Sequence, residues 1–192
     1  PLARLFGISS SGRRAVESLA PRRTFDDVIL PPATRRALNT ALAQVTQHDL
    51  IFNRWGFGER HPTGLALTFN FAGPSGTGKT MLATALGVCA CHQGRRVRFT
   101  TLAGLANELQ EAQGGRELAR VVARYARIEL LLCDELGYLA LPDGAAELVF
   151  QVLSERHERA SLIITTNLAF SEWTKVFPDP RLAKAVVDRL TH

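Results

Sequence analysis

The chain has 192 residues, of which 46% are hydrophobic and 21% are charged, a balance typical of a globular domain with its own core. No apolar run reaches the roughly 18 residues of a membrane span, and the first residues, PLARLFGISSSGRR, lack a signal-peptide core, so we expect a cytoplasmic protein without a membrane partner. The net charge of +5 permits an acidic partner such as nucleic acid without requiring one. The three cysteines, Cys89, Cys91 and Cys133, lie in apolar stretches without metal-ligand spacing, which favours buried, reduced thiols.

Residues 1–64 are predicted to form a basic arm and a helical lead-in. Within residues 1–23 the acid Glu17 is accompanied by five arginines, Arg4, Arg13, Arg14, Arg22 and Arg23. Two prolines at 31 and 32 precede apolar residues at helical spacing, which predict a helix over about 34–50. Its buried stripe is expected to contain Leu38, Ala41, Leu42 and Val45.

Residues 65–192 are predicted to form the core domain. Strand-like apolar runs occur at 65–71, 95–100, 129–134 and 161–166. Helical patterns separate or follow them at 80–92, 102–112, 116–127, 144–159 and 180–190. Strands separated by helices indicate an α/β fold in which a parallel sheet carries helices on both faces.

The stretch FAGPSGTGKTMLA at 71–83 runs from a strand pattern through a glycine-rich turn into a helix. Residues 73–80 fit G-x-x-x-x-G-K-[ST] in full, the pattern of a phosphate-binding loop whose backbone N–H groups surround a phosphate. We expect Lys79 to reach the β- and γ-phosphates of a nucleotide and Thr80 to offer a hydroxyl to Mg²⁺. The predicted nucleotide contacts are Gly73, Pro74, Ser75, Gly76, Thr77, Gly78, Lys79, Thr80 and Met81.

Two apolar strands end in polar side chains that suit nucleotide chemistry. LLLCDE ends in Asp134, placed to orient magnesium, and Glu135, placed to polarise a water against the γ-phosphate. SLIITT is followed by Asn167, which would emerge at the same edge of a parallel sheet and could position the attacking water. The alternatives are that Glu135 solvates its strand end and that Asn167 terminates its strand.

Arginines form two further candidate sites. The helical pattern at 116–127 places four of them on one side, Arg116, Arg120, Arg124 and Arg127. A solvated helix face is the ordinary interpretation, but such a stripe could follow the phosphates of duplex DNA without reading its sequence, and the basic arm offers the same alternatives. Arg189, near the end of the last helical pattern, is on spacing alone a partner of the helix dipole.

Taken together, GPSGTGKTMLATALG, DELGYL, TTNLAFSEW and DRLTH resemble the IstB-like ATP-binding proteins over about residues 73–192. These are AAA+ helper ATPases of insertion-sequence transposition and relatives of the DnaC helicase loaders. The resemblance implies a P-loop AAA+ fold that uses ATP and Mg²⁺, hydrolyses ATP and assembles as a homo-oligomer on duplex DNA. It also implies a transposase or a replicative helicase as partner, in transposition or DNA replication.

The resemblance assigns roles to individual residues. It implies that Lys79 and Thr80 are the Walker A pair, that Asp134 and Glu135 are the Walker B pair, and that Asn167 is sensor 1. It implies that Arg189 is an arginine finger presented to ATP on a neighbouring subunit.

Two departures from the family pattern leave the function open. The family continues past DRLTH into another strand and a sensor 2 region, so we expect both to be missing from this chain. Residues 24–80 are more similar to the segment before Walker A in classic AAA proteins, the unfoldase and remodelling branch, which indicates a hybrid. The candidates are a transposition helper, a protein-remodelling ATPase, and a nucleotide-gated binding module with little turnover, like a helicase loader.

Overall fold

The computed structural model describes residues 30–46, 66–142 and 144–191. These residues belong to two compact units, one containing residues 66–191 and the other containing residues 30–46. In the second unit a helix, α1, spans Pro32–Thr46, and its Leu38 side chain is buried as predicted. The basic arm, the lead-in from 47 to 65 and the other side chains of the predicted stripe lie outside the description. None of the described helices is long and apolar enough to cross a membrane.

The core unit is a sheet of parallel strands flanked by helices, which confirms the predicted α/β fold. The strands are β1 Thr68–Ala72, β2 Val97–Thr101, β3 Leu130–Leu136 and β4 Ser161–Thr166, in the spatial order β1-β4-β3-β2. The helices are α2 Lys79–His92, α3 Leu102–Gly114, α4 Leu118–Ala126, α5 Ala145–Arg156 and α6 Pro180–Thr191. A 3₁₀ helix at Phe170–Lys175, which the sequence patterns did not predict, precedes α6.

The sheet has a hydrophobic cluster on each face, because successive strand residues point to opposite sides. Leu131 and Cys133 join the larger cluster, which α3, α4, α5 and α6 complete. Leu132 joins the smaller cluster beneath α2. Gly87 allows α2 to approach closely, since a Cβ there would lie 2.6 Å from Cδ1 of Leu132. This packing holds the first turn of α2 beside the carboxyl end of β3.

The cysteines are free thiols, as predicted, but their expected burial is wrong for Cys89. Cys133 is buried in β3, and this burial raises the pKa of its thiol to about 12. Cys91 is partly buried, whereas Cys89 is exposed on α2. Cys89 follows the buried Gly87 by two residues, a turn of about 200° around a helix, which carries it away from the sheet.

A buried arginine links several elements at the amino ends of β3 and β4, the end of the sheet opposite the phosphate loop. Arg156 is 1% exposed, and burial lowers its pKa to about 10. Its guanidinium donates to the backbone carbonyl of Tyr125, to that of Ile128 at 2.7 Å and to that of Ser161 at 2.8 Å. One side chain therefore ties the end of α4, the turn before β3 and the start of β4 to the end of α5.

We expect Arg156→Met to lower the free energy of unfolding by about 3 kcal/mol or more, because it removes three hydrogen bonds from a charged donor, and such bonds contribute about 1.5–3 kcal/mol each. Urea unfolding measures the change. Arg159→Met is the matched control, since Arg159 is exposed and pairs with Glu155 at 3.8 Å, and such surface pairs contribute about 0–1 kcal/mol. Equal stability of the two variants would contradict the role given to Arg156.

Candidate functional site

The loop between β1 and α2 has the geometry of a phosphate cradle. Gly76 and Gly78 have φ angles of +79° and +82°, in the left-handed region that glycine adopts without steric cost. The N–H of Gly73 donates to the carbonyl of Thr166 at 3.1 Å, which attaches the start of the loop to β4. The loop therefore enters α2 at the carboxyl edge of the sheet, where a helix N-terminus favours an anion.

Lys79 is the first residue of α2, and its ammonium lies within the loop. Its Nζ donates to the carbonyls of Gly73 and Pro74, both at 2.6 Å. A positive charge, backbone N–H groups and a helix N-terminus thus converge on one small volume, the arrangement that binds nucleotide phosphates. Met81, the last of the predicted contacts, is 64% exposed on α2.

The end of β3 contains a β-bulge that separates two neighbouring carboxylates. Cys133 pairs with Ile164 and Leu136 with Thr166, so Asp134 and Glu135 together lie opposite a single residue of β4. The φ angle of Glu135 is +61°, a left-handed conformation that few residues other than glycine adopt. As a result Asp134 is 5% exposed, whereas Glu135 is exposed to solvent.

Asp134 joins the phosphate loop to the strand tip. Its Oδ1 accepts a hydrogen bond from the hydroxyl of Thr80 at 2.9 Å, and another from the hydroxyl of Thr165. A carboxylate and a hydroxyl are hard oxygen donors, the ligand type that Mg²⁺ prefers. The two residues predicted to hold magnesium therefore lie together, and their chemistry fits that ion.

Thr165 and Thr166 were not among the predicted site residues. The hydroxyl of Thr165 accepts from the N–H of Glu135 at 3.1 Å, in addition to its bond to Asp134. The hydroxyl of Thr166 donates to the carbonyl of Leu136 at 2.7 Å and accepts from the N–H of Leu168 at 3.0 Å. The sequence signal that could have indicated them is a pair of threonines at the end of an otherwise apolar strand. Their hydrogen-bond partners, however, are identified only by the pairing of β4 with β3.

Asn167 follows β4 directly and is exposed at the edge of the phosphate loop. It lines an open cleft of about 550 Å³ together with Ala72, Gly73, Pro74, Ser75, Leu168 and Ala169. Gly137, after the bulge, allows the segment that follows β4 to pack closely against the end of β3. Its φ angle is +96°, and a Cβ there would lie 2.4 Å from Cδ1 of Leu168. The structure therefore places Asn167 beside the phosphate loop, where the sequence predicts it.

Arg189 has its described contacts on α5 and α6 rather than at the loop of its own chain. Its guanidinium lies over the ring of Phe150 at 4.5 Å, and its Nη1 donates to the carbonyl of Ala185 at 3.1 Å. Its own carbonyl lies 3.1 Å from Nδ1 of His157. The side chain is therefore held against α5, and its action on a neighbouring subunit remains a prediction.

The predicted arginine stripe is shorter than its pattern indicated. Helix α4 begins at Leu118, because Arg116 has a φ angle of +60° that places it outside the helix. The remaining arginines of the stripe, Arg120, Arg124 and Arg127, are exposed. Helix spacing of four and three residues keeps these three on one side.

Two of these arginines carry acidic partners. Arg120 pairs with Glu117 at 2.8 Å, and Arg124 pairs with Glu108 of α3. Glu108 also accepts from the hydroxyl of Tyr125, and burial together with this carboxylate raises the pKa of that tyrosine. Acid partners therefore offset much of the positive charge along α4.

The profile of the family described as IstB-like ATP binding protein matches residues 66–192, more than half of the chain. The chain belongs to this family. The resemblance noted in the sequence motifs is thereby confirmed. The similarity of residues 24–80 to classic AAA proteins remains a prediction, and residues 24–29 and 47–65 of this segment lie outside the described residues.

Curated relatives of this IstB-like chain carry names from insertion sequences. It is 40% identical over 122 residues to the insertion sequence IS232 putative ATP-binding protein of Bacillus thuringiensis subsp. berliner, which covers 64% of the chain and 49% of the relative. It is 42% identical over 120 residues to the IS21 putative ATP-binding protein of Pseudomonas aeruginosa, which covers 62% and 45%. The chain thus spans about half the length of the curated relatives it matches.

Solved structures identify the fold of the IstB-like chain. The DnaC helicase loader matches 85% of this chain and 91% of its own with a TM-score of 0.63 and 22% identity. AMPPCP-bound DnaA from Aquifex aeolicus matches 90% of this chain and 50% of its own with a TM-score of 0.65 and 20% identity. At such identities the likeness concerns the fold alone, which is that of an AAA+ P-loop domain.

Proposed function

We propose that this IstB-like chain binds ATP with magnesium at the 73–80 loop and hydrolyses it. The observation that carries the proposal is the 2.9 Å hydrogen bond between Thr80 and Asp134, which brings the Walker A and Walker B elements together. The family assignment supports the choice of ATP, since the matched profile describes ATP-binding proteins. The exposed Glu135 beside the buried Asp134 supports hydrolysis, because the reaction needs a base that water can reach.

Each residue has a separate task in this proposal. The ammonium of Lys79 exchanges its bonds to the loop carbonyls for bonds to phosphate oxygens of the substrate. Thr80 and Asp134 would hold Mg²⁺, which when bound neutralises charge on the phosphates. Glu135 accepts a proton from the attacking water, and Asn167 orients that water at the cleft.

We further propose that the protein assembles as a homo-oligomer on duplex DNA in the cytoplasm and acts as a helper in transposition, with a transposase as partner. Insertion-sequence names of the curated relatives and the net charge of +5 support this proposal. A replicative helicase is the alternative partner, and the DnaC-like fold favours it only at the level of architecture. Arg120 and Arg124 on α4, with Arg127 at its C-terminal cap, are the proposed phosphate contacts, supplemented by the arginines of residues 1–23.

Steady-state ATPase activity with and without duplex DNA tests the proposal. Turnover that duplex DNA stimulates supports the transposition helper. Turnover indifferent to DNA would replace it with a protein-remodelling ATPase. ATP binding with negligible turnover under both conditions would replace it with a nucleotide-gated binding module.

The Glu117–Arg120 ion pair allows a two-sided test of DNA contact. We expect Arg120→Gln to flatten the dependence of log affinity on log salt by about 0.9, the contribution of one phosphate contact. We expect Glu117→Gln to strengthen DNA binding, because it removes the carboxylate that competes with phosphate for Arg120 at 2.8 Å. Fluorescence anisotropy with duplex DNA at several salt concentrations measures both slopes.

Arg159→Gln is the control for the loss of one exposed positive charge elsewhere, in the turn after α5. It should leave the salt dependence unchanged. Identical slopes for Arg120→Gln and the parent protein would exclude α4 as the DNA contact. Absence of binding to duplex DNA at low salt would exclude the DNA partner altogether.

A further inference from the structure

We infer that Thr165 is a positioning residue for both Walker B residues. Its single hydroxyl orients the carboxylate of Asp134 and holds the backbone from which the Glu135 side chain projects. The inference deepens the proposed function and depends on it, since Asp134 and Glu135 are given their roles there. Thr165 is 3% exposed in β4 and lies opposite the bulge of β3. It does not line the cleft beside the phosphate loop, and it is almost fully buried, so any effect that it has on the site must pass through its neighbours.

The bulge creates the need for such a residue. Where two residues of β3 face one residue of β4, the regular ladder cannot satisfy every backbone group. The N–H of Glu135 instead donates to Oγ1 of Thr165 at 3.1 Å. This bond helps to hold Glu135 at its φ angle of +61°, a conformation that persists only when its surroundings stabilise it.

The same hydroxyl orients the other carboxylate. A threonine hydroxyl has one proton, and Thr165 donates it to Oδ1 of Asp134 while its lone pairs accept from Glu135. Thr80, in the first turn of α2, donates to the same Oδ1 at 2.9 Å. Asp134 is therefore held between α2 and β4 and cannot rotate without breaking one of these bonds.

A threonine suits this position better than other hydroxyl residues. Its β-branched side chain has few χ1 rotamers, so its hydroxyl direction is well defined inside a buried strand. Phe71 of β1 is its register partner on the other side of β4. The end of β4 thus contacts both parts of the site. The carbonyl of Thr166 binds the start of the phosphate loop, and the hydroxyl of Thr165 binds the bulge.

Thr165→Val tests the inference, because valine keeps the shape and removes both hydrogen bonds. We expect the ratio of ADP affinity in Mg²⁺ to ADP affinity in EDTA to fall about 10- to 100-fold. Removing a group that orients a metal ligand typically has an effect of this size. Affinity for ADP in EDTA should stay at the parent value, because Lys79 and the loop backbone remain. Turnover should fall by a similar factor, and Thr165→Ser should recover most of both losses.

Thr166→Val is the matched control. Thr166 is the next residue, 1% exposed, and its hydroxyl also bonds across to the end of β3, but its partners are the backbone groups of Leu136 and Leu168. The two valine variants should lose similar stability in urea unfolding. Only Thr165→Val should reduce the ratio of ADP affinity in Mg²⁺ to that in EDTA, measured by calorimetry.

The outcomes separate this inference from the proposed function. An unchanged Mg²⁺-to-EDTA ratio in Thr165→Val, or equal reductions in both valine variants, would overturn the positioning role while leaving ATP binding intact. A Thr165→Ser variant as defective as Thr165→Val would also overturn it, because a hydroxyl would then be insufficient. A parent protein that binds no ADP in Mg²⁺ would instead overturn the proposed function.

Discussion

We expect Lys79→Ala to abolish measurable ATP binding and Glu135→Gln to keep ATP bound while stopping its hydrolysis. Lys79 places its ammonium 2.6 Å from two carbonyls of the loop, so alanine removes the charge located where phosphates would bind. Glu135 is exposed beyond the bulge, and glutamine preserves its size but cannot accept a proton from water. The loss of a general base typically costs about 10²- to 10⁴-fold in turnover.

Calorimetry with a non-hydrolysable ATP analogue and a phosphate-release assay measure the two effects separately. Lys175→Ala is the control for loss of a lysine, since Lys175 is exposed on the 3₁₀ helix and pairs with Glu172 at 2.6 Å. Circular dichroism establishes that each variant is folded. Undiminished ATP affinity in Lys79→Ala would contradict the Walker A assignment, and parent-like turnover in Glu135→Gln would leave Glu135 as a residue that only solvates the strand end.

Arg189→Ala should lower turnover by about 10³- to 10⁵-fold while ATP remains bound, if Arg189 reaches ATP on a neighbouring subunit. The contacts of Arg189 within its own chain cannot account for a loss of that size. A favourable charge at a helix C-terminus contributes about 0.3–1 kcal/mol, and a partly buried cation–π contact such as that with Phe150 contributes about 0.5–2 kcal/mol. A large loss of turnover with a small loss of stability therefore identifies a role in the reaction.

Mixing variants gives the sharpest test of action between subunits. Arg189→Ala retains Glu135, and Glu135→Gln retains Arg189, so each should be inactive alone while a mixture recovers part of the activity. Arg181→Ala is the control, because Arg181 is an exposed arginine in the first turn of the same helix. Failure of the mixture to recover activity, or specific activity independent of protein concentration, would return Arg189 to the role of a helix-dipole partner.

The positions of the motif residues could be predicted because they depend on local patterns and on one general property of parallel sheets. The strand at Ser161–Thr166 has the same bounds as its apolar pattern, and the loop after β1 matches its glycine pattern. Parallel strands bring their carboxyl ends to one edge, which places Asp134 and Asn167 beside the loop. These relations follow from residue order alone.

Errors arose where distant residues decide the local conformation. The 3₁₀ helix at Phe170–Lys175 has Trp173 fully buried, so tertiary packing stabilises a segment without a clear helical pattern. The helical pattern at 116–127 indicates that arginines share one side but does not identify their partners, since Glu108 of α3 lies 16 residues before Arg124. Such pairings depend on how the elements pack against one another.

By itself the sequence determined the family, the α/β fold and the four places where phosphate chemistry is expected: the loop, the two strand ends and the last helix. The tertiary structure alone decided how two adjacent carboxylates acquire different environments. That difference arises from a bulge between β3 and β4, and the register of two strands separated by a whole helix is not encoded in either strand alone. Thr165 gains its importance from that register, because only there does one buried hydroxyl meet both Asp134 and the backbone of Glu135.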